Sequence, residues 1–228
     1  MSPDPLHPQS AEARLAAIQA ELPPGCRLLA VSKGQPAAAI RALAAAGQRS
    51  FAESRLQEAA AKQQELADLA DLPDLDWHFI GRLQANKVRP VLRTFATIHS
   101  VDSLALAERL ARIAAEEQCA PQVLLQVKLR PDPSKGGFEP QELLRDWPQL
   151  QQLAPLRISG LMTIAPLALD LQERRSLFQD CAALAGELGL AELSMGMSGD
   201  WREAAASGST WVRIGSALFG ERQQPAQL

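Results

Sequence analysis

The stretch Glu192–Gly220, ELSMGMSGDWREAAASGSTWVRIGSALFG, carries one pattern twice. A short apolar run, Glu192–Met195, leads through Gly196-Met197-Ser198-Gly199 into the helix-like segment Asp200–Ala206. A second run, Thr210–Ile214, leads directly into Gly215-Ser216. A strand, a turn of small residues and a helix make the βα unit of a parallel sheet, since parallel strands need a crossover between them.

Outward from that stretch the alternation covers nearly the whole 228-residue chain. Further strand candidates are Leu28–Val31, Arg49–Ala52, Trp77–Ile80, Thr97–Val101, Val123–Val127 and Arg157–Leu161. Ala/Leu/Glu/Arg-rich stretches lie between them at Pro36–Ala46, Glu53–Leu69, Leu104–Glu117, Pro140–Leu153 and Leu171–Leu188. Pro36 and Pro140 stand where helix first turns begin. Gly47 and Gly189 follow helical runs as C-terminal caps do. Eight βα units in about 200 residues predict an α/β fold, a single (β/α)8 TIM barrel. A doubly wound open sheet with one strand miscounted is the alternative. Ser10–Leu22 reads as an extra N-terminal helix capped by Ser10. The barrel is expected over residues 10–221, between a Pro-rich tail at 1–9 and a polar tail at 222–228.

Composition narrows the function classes. Hydrophobic residues make up 46% and charged residues 21%, as in ordinary globular domains, and the net charge is -3. That balance argues against a nucleic-acid or anionic-membrane binder, which needs a basic surface. Cys26, Cys119 and Cys181 are widely spaced and odd in number, so they read as reduced thiols rather than disulfides or a zinc site. The opening MSPDPLHPQS lacks the basic and apolar parts of a signal peptide, and no apolar run approaches the roughly 20 residues of a membrane span. A cytoplasmic protein is expected. The chain has four Trp and six Phe but no Tyr, so no tyrosine phenol of its own can act as acid or base.

Barrels bind ligands at the C-terminal ends of their strands. Ser198-Gly199 and Gly215-Ser216 fall after strands seven and eight, where barrel proteins often seat phosphate with backbone N–H groups and hydroxyls. The alternative reading makes Ser198 a simple helix cap. Lys33 follows the apolar run Leu28–Val31, and a partly desolvated amine at a barrel rim can form a Schiff base with an aldehyde. A strand-end lysine beside a phosphate seat suits a ligand with both groups, such as pyridoxal 5'-phosphate (PLP) or a phosphorylated sugar. Arg213 points at the same mouth. A permanent cation beside a pyridine nitrogen would keep it unprotonated and weaken the ring as an electron sink. His7, His78 and His99 show no metal spacing, and His78 reads as a satisfied core histidine. Arg82, Lys87, Arg89 and Arg93 read mainly as a solvated helix face.

The segments LLAVSK (28–33), FAESRLQE (51–58), WHFIGRLQANK (77–87), SVDS (100–103), GLMTIAP (160–166), LSMGMSGD (193–200) and GSTWVRIGSALFG (208–220) together resemble the pyridoxal phosphate homeostasis protein family. The resemblance implies a barrel like the N-terminal domain of alanine racemase, the fold-type III class of PLP proteins. It implies that Lys33 matches the lysine that binds the cofactor as a Schiff base, and that Ser198, Gly199, Gly215 and Ser216 hold its phosphate. Arg213 then faces the pyridine nitrogen and Met162 lines the ring pocket. It further implies a monomer without an established reaction, which stores PLP or delivers it to PLP-dependent apoenzymes and affects amino- and keto-acid balance.

Several positions depart from the family pattern. Ala52 and Ser54 stand where Gly and Asn are usual, Gly34 replaces a common Thr, and Gln126-Val127-Lys128 replaces a Val-Asn start. A PLP-dependent racemase or decarboxylase is the alternative. A racemase of this barrel class needs a second base, a tyrosine that this chain lacks, and an extra β-domain that is not expected here; a cysteine, Lys128 or water is the substitute to consider. A Schiff-base aldolase is a weaker reading, because its lysine sits on strand six, where this chain has Met162.

Overall fold

The computed structural model describes residues 10–67 and 75–220. The predicted tails at 1–9 and 222–228 lie outside the described residues, as does the end of the helix expected over 53–69. Eight parallel strands close into one barrel in sequence order, with β8 pairing back to β1. They are β1 (Arg27–Val31), β2 (Ser50–Glu53), β3 (Asp76–Phe79), β4 (Thr97–Val101), β5 (Gln122–Gln126), β6 (Arg157–Met162), β7 (Glu192–Met197) and β8 (Trp211–Ile214). The open-sheet alternative is therefore excluded.

Helix α1 (Ala11–Glu21) precedes β1, and its N-cap Ser10 accepts from the Ala13 N–H at 3.2 Å, as predicted. The crossover helices are α2 (Ala37–Ala45), α3 (Leu56–Glu65), α4 (Val88–Thr94), α5 (Leu104–Glu116), α6 (Pro140–Leu150), α7 (Leu171–Glu187), α8 (Trp201–Ala206) and α9 (Ser216–Phe219). Pro140 is the first residue of its helix, whereas Pro36 is the N-cap of α2. Helix α3 begins three residues later than expected, because Glu53 belongs to β2. Gly47 and Gly189 take positive φ of 100° and 68° after α2 and α7, where only glycine is unstrained.

The main apolar core lies between strands and helices and includes Leu43, Phe51, Leu110, Phe178 and Val212. A separate small apolar group of Leu29, Val31, Ala52 and Trp211 sits inside the barrel. Strand side chains alternate between faces, so that set fixes which residues point inward. Continuing the count places Lys33 inward beyond Leu29 and Val31, Arg213 inward beyond Trp211, and His78 inward on β3. The barrel interior is therefore unusually polar for a fold that commonly fills it with branched aliphatic side chains.

One irregularity aims the site. The β7–β8 register shifts between Ser194 and Met197, the mark of a bulge. Gly196 makes it, at φ of 85°, and a Cβ there would lie 2.6 Å from the Ala204 Cβ. The bulge turns Met197 and Ser198 toward the barrel mouth. Gly196→Ala should destabilise the fold by about 2–4 kcal/mol through left-handed backbone strain and crowding. Gly186→Ala, in open space within α7, should leave stability unchanged or raise it, because alanine is the better helix former. Thermal unfolding of both variants measures the contrast.

Candidate functional site

A cavity of about 270 Å³ opens at the C-terminal mouth of the barrel, where β7, β8 and β1 meet. Lys33, Ser198, Gly199, Arg213, Gly215 and Ser216 line it, together with Val31, Gln35, Ile80, Met197 and Gly220. Six of the seven predicted site residues thus share one wall. Met162, buried at the end of β6, does not line this cavity. Val31, Gln35, Ile80, Met197 and Gly220 line the cavity without having been among the expected site residues. Inward parity along β1 and β3 is the signal that would have included Val31 and Ile80.

Arg213 anchors the floor of the cavity. Its guanidinium is buried and donates to the Ser194 carbonyl at 2.5 Å, the Ser194 hydroxyl at 2.8 Å and the Thr163 carbonyl at 2.8 Å. Burial pushes its pKa down to about 10, against the attraction of Asp200, so it remains a cation at neutral pH.

Ser198 is not a simple helix cap. Asp200 is the N-cap of α8, and its carboxylate accepts from the Met197 N–H at 2.6 Å. The Ser198 hydroxyl instead accepts from the N–H groups of Gly215 and Ala217, each at 3.3 Å. Those donors converge on the Ser198 hydroxyl at the start of α9, and neighbouring Gly199 borders open space, where a Cβ would meet nothing within 4 Å. Such a donor set suits an anion with several oxygens.

A buried ion cluster holds the Lys33 segment from behind. The Lys62 ammonium, only 7% exposed, donates to Glu53 Oε1 at 2.7 Å, Glu58 Oε1 at 2.6 Å and the Ser32 carbonyl at 2.8 Å. The Ser32 hydroxyl donates to Glu53 Oε1 at 2.7 Å, and the Gly34 N–H donates to Glu58. Residues on both sides of Lys33 are thus tied to α3 and β2. Burial raises the pKa of Glu53 despite Lys62 and Ser32. Burial also works to raise Glu58, but Lys62 and the Gly34 N–H outweigh it and leave that carboxyl below its ordinary range.

Other predicted groups stand elsewhere. Lys128 pairs with Glu139 at 2.9 Å beside a separate depression. Cys26, Cys119 and Cys181 are free thiols and none lines the cavity; burial pushes Cys26 up to about 11 and Cys181 up to about 12. Arg89 and Arg93 do lie on a helix face, on α4, but they pair with Glu116 and Glu117 at the end of α5. Among the described residues no cluster of three or more metal-ligating side chains occurs, and no helix is long and apolar enough to cross a membrane.

Removing Lys62 leaves Glu53 buried without its cation. Lys62→Met should cost about 3–5 kcal/mol of stability, and adding Glu53→Gln should restore part of the loss. Urea unfolding of the single and double variants tests this.

The family model "Alanine racemase, N-terminal domain" matches residues 6–223. A pyridoxal phosphate homeostasis protein of Synechocystis sp. is 51% identical over 211 residues, covering 90% of this chain and 95% of that one. The protein of the same name from Pseudomonas aeruginosa is 46% identical over 201 residues, with 87% and 86% covered. The solved structure of PipY from Synechococcus elongatus with PLP bound matches at a TM-score of 0.88 and 52% identity, covering 92% of this chain and all of that one. Alanine racemase from Clostridium difficile shares the fold at a TM-score of 0.75 and 17% identity; this chain covers 56% of it. A closed eight-stranded barrel over nearly the full length of such relatives leaves one assignment: the chain belongs to the pyridoxal phosphate homeostasis protein family, within the alanine racemase N-terminal-domain fold.

Proposed function

We propose that this protein binds pyridoxal 5'-phosphate at the β7–β8–β1 mouth and holds it for storage or delivery to PLP-dependent apoenzymes. The observation that carries the reading is the single cavity shared by an amine, a guanidinium and a hydroxyl–N–H cradle. Its donor set fits the ligand's three functional groups. Lys33 offers the amine for a covalent link to the aldehyde. Ser198, Gly199, Gly215 and Ser216 offer the seat for the phosphate. Arg213 offers a fixed cation for the ring nitrogen. The PLP-bound PipY structure and the names of the relatives support the same ligand.

When bound, PLP supplies an aldehyde carbon and an electron-withdrawing ring. Arg213 would keep the ring nitrogen unprotonated, which damps that withdrawal and suits a holder more than a catalyst. A racemase also needs a base on the opposite ring face. The chain has no tyrosine, and Lys128 and the three cysteines lie away from the cavity lining. Proposed on the same reading are a monomer in the cytoplasm and an influence on amino- and keto-acid balance through PLP supply. Met162, which the family resemblance assigns to the ring pocket, stands at the end of β6 next to Thr163, whose carbonyl holds Arg213.

Titration with PLP followed by visible absorption tests the reading. The wild type should develop a visible band, and Lys33→Ala should lose it while retaining weak binding. Ser198→Ala should weaken affinity about tenfold, the value of one hydrogen bond to a charged group. The loaded protein should restore activity to a PLP-dependent apoenzyme in a timed transfer assay. Amino-acid turnover by the wild type that disappears in Lys33→Ala would contradict the non-catalytic reading.

A further inference from the structure

A line of buried polar side chains runs through the barrel from Arg213 to the opposite mouth. The Arg213 guanidinium donates to Ser194 Oγ at 2.8 Å, and Ser194 Oγ lies 2.9 Å from His99 Nδ1. His99 Nε2 lies 2.8 Å from His78 Nδ1, and His78 Nε2 lies 2.5 Å from Asp76 Oδ2. Ser194, His99, His78 and Arg213 are buried, whereas the Asp76 side chain is 43% exposed at the start of β3. Four strands therefore contribute to one continuous chain.

Its proton order follows from what each group can do. Arginine only donates and an ionised carboxylate only accepts. Among the described residues, Ser194 Oγ has two hydrogen-bond partners, Arg213 and His99. Arg213 already donates, so the hydroxyl proton goes to His99 Nδ1. His99 then carries its proton on Nε2 and donates it to His78 Nδ1. His78 carries its proton on Nε2 and donates it to Asp76. In this order each bond points the same way. Burial above all, with the Arg213 charge beside it, pushes the His99 pKa well below its ordinary value. Burial works to raise Asp76, but the His78 N–H and the neighbouring charge leave its carboxyl below its ordinary range.

We propose that Asp76, His78, His99 and Ser194 are positioning residues for Arg213: a one-way hydrogen-bond chain that links the guanidinium to a carboxylate across the barrel and sets how it faces the ligand. Its bearing on the ligand rests on the PLP reading above. Aligned bonds in a low-dielectric interior polarise one another, so a change at Asp76 reaches the cavity without any contact between them. Ser194 links the chain to Arg213, because its carbonyl and its hydroxyl both accept from the guanidinium.

The chain contains only His7, His78 and His99, so nitrogen-15 NMR of labelled protein resolves the imidazoles. The expected result is neutral His78 and His99 at neutral pH, each protonated at Nε2. A proton on His99 Nδ1 would overturn the assigned direction. Asp76→Asn removes the terminal charge at a partly exposed position, and His99→Phe breaks the chain at similar volume. Each should weaken PLP binding about 2–30-fold, the range seen for coupling through residues without ligand contact, and shift the visible band of the bound ligand. Asp76→Asn keeps the question open to measurement if His99→Phe does not fold. Wild-type affinity and band position in a folded Asp76→Asn would overturn the proposal while leaving the PLP reading intact. Failure of the wild type to bind PLP would overturn both, whatever the imidazole tautomers.

Discussion

The Arg213 guanidinium is the interaction on which the candidate site depends. It projects inward from β8 and is held by Ser194 of β7 and by Thr163 just past β6. A buried cation without water must find acceptors, and here backbone carbonyls and a hydroxyl supply them. Those bonds tie the C-terminal ends of three consecutive strands together. The Gly196 bulge then lifts Ser198 above this tie, and β1, paired to β8 with Leu29 beside Arg213, brings Lys33 to the same mouth. Barrel closure and a buried arginine together place groups from opposite ends of the chain around one cavity.

The Lys33 segment is fixed by a different physics. Lys62, Glu53 and Glu58 form a nearly dry ion cluster, which is costly to desolvate and is repaid only when every group is well bonded. Lys62 meets that condition through two carboxylates and the Ser32 carbonyl. The cluster grips Ser32 and Gly34 on either side of Lys33. It gives the amine a rigid base, which a group meant to hold a ligand needs more than a mobile surface lysine does.

Much of this was legible in the sequence. The strand runs appear within two residues of their predicted ends because each is apolar and bounded by glycine, proline or a polar turn. Arg213, Ser198, Gly215 and Lys33 were legible because they follow such runs, and position after a strand is a strong constraint in a barrel. The Ser198 role was only half legible: its hydroxyl points across to Gly215 and Ala217, and no local rule distinguishes that from capping its own helix. Lys62 was illegible, since a lysine in a Gln/Ala/Glu-rich helix reads as solvated. The link between His78, His99 and Ser194 was illegible for another reason. Its members are separated by 21 and 95 residues, and only the closed barrel brings them into line. The remaining signal was a polar residue inside three apolar strand runs, which parity along the strands turns into a shared interior.

On the proposed function, Lys33 is the covalent attachment point for a PLP held by Arg213 and the Ser198–Gly215 cradle. Borohydride reduction of the PLP-loaded protein, followed by peptide mapping, tests it most directly. A stable adduct is expected on the peptide containing Lys33 and on no other. An adduct on Lys128, Lys135 or another lysine with Lys33 unmodified, or no adduct at all, would contradict it.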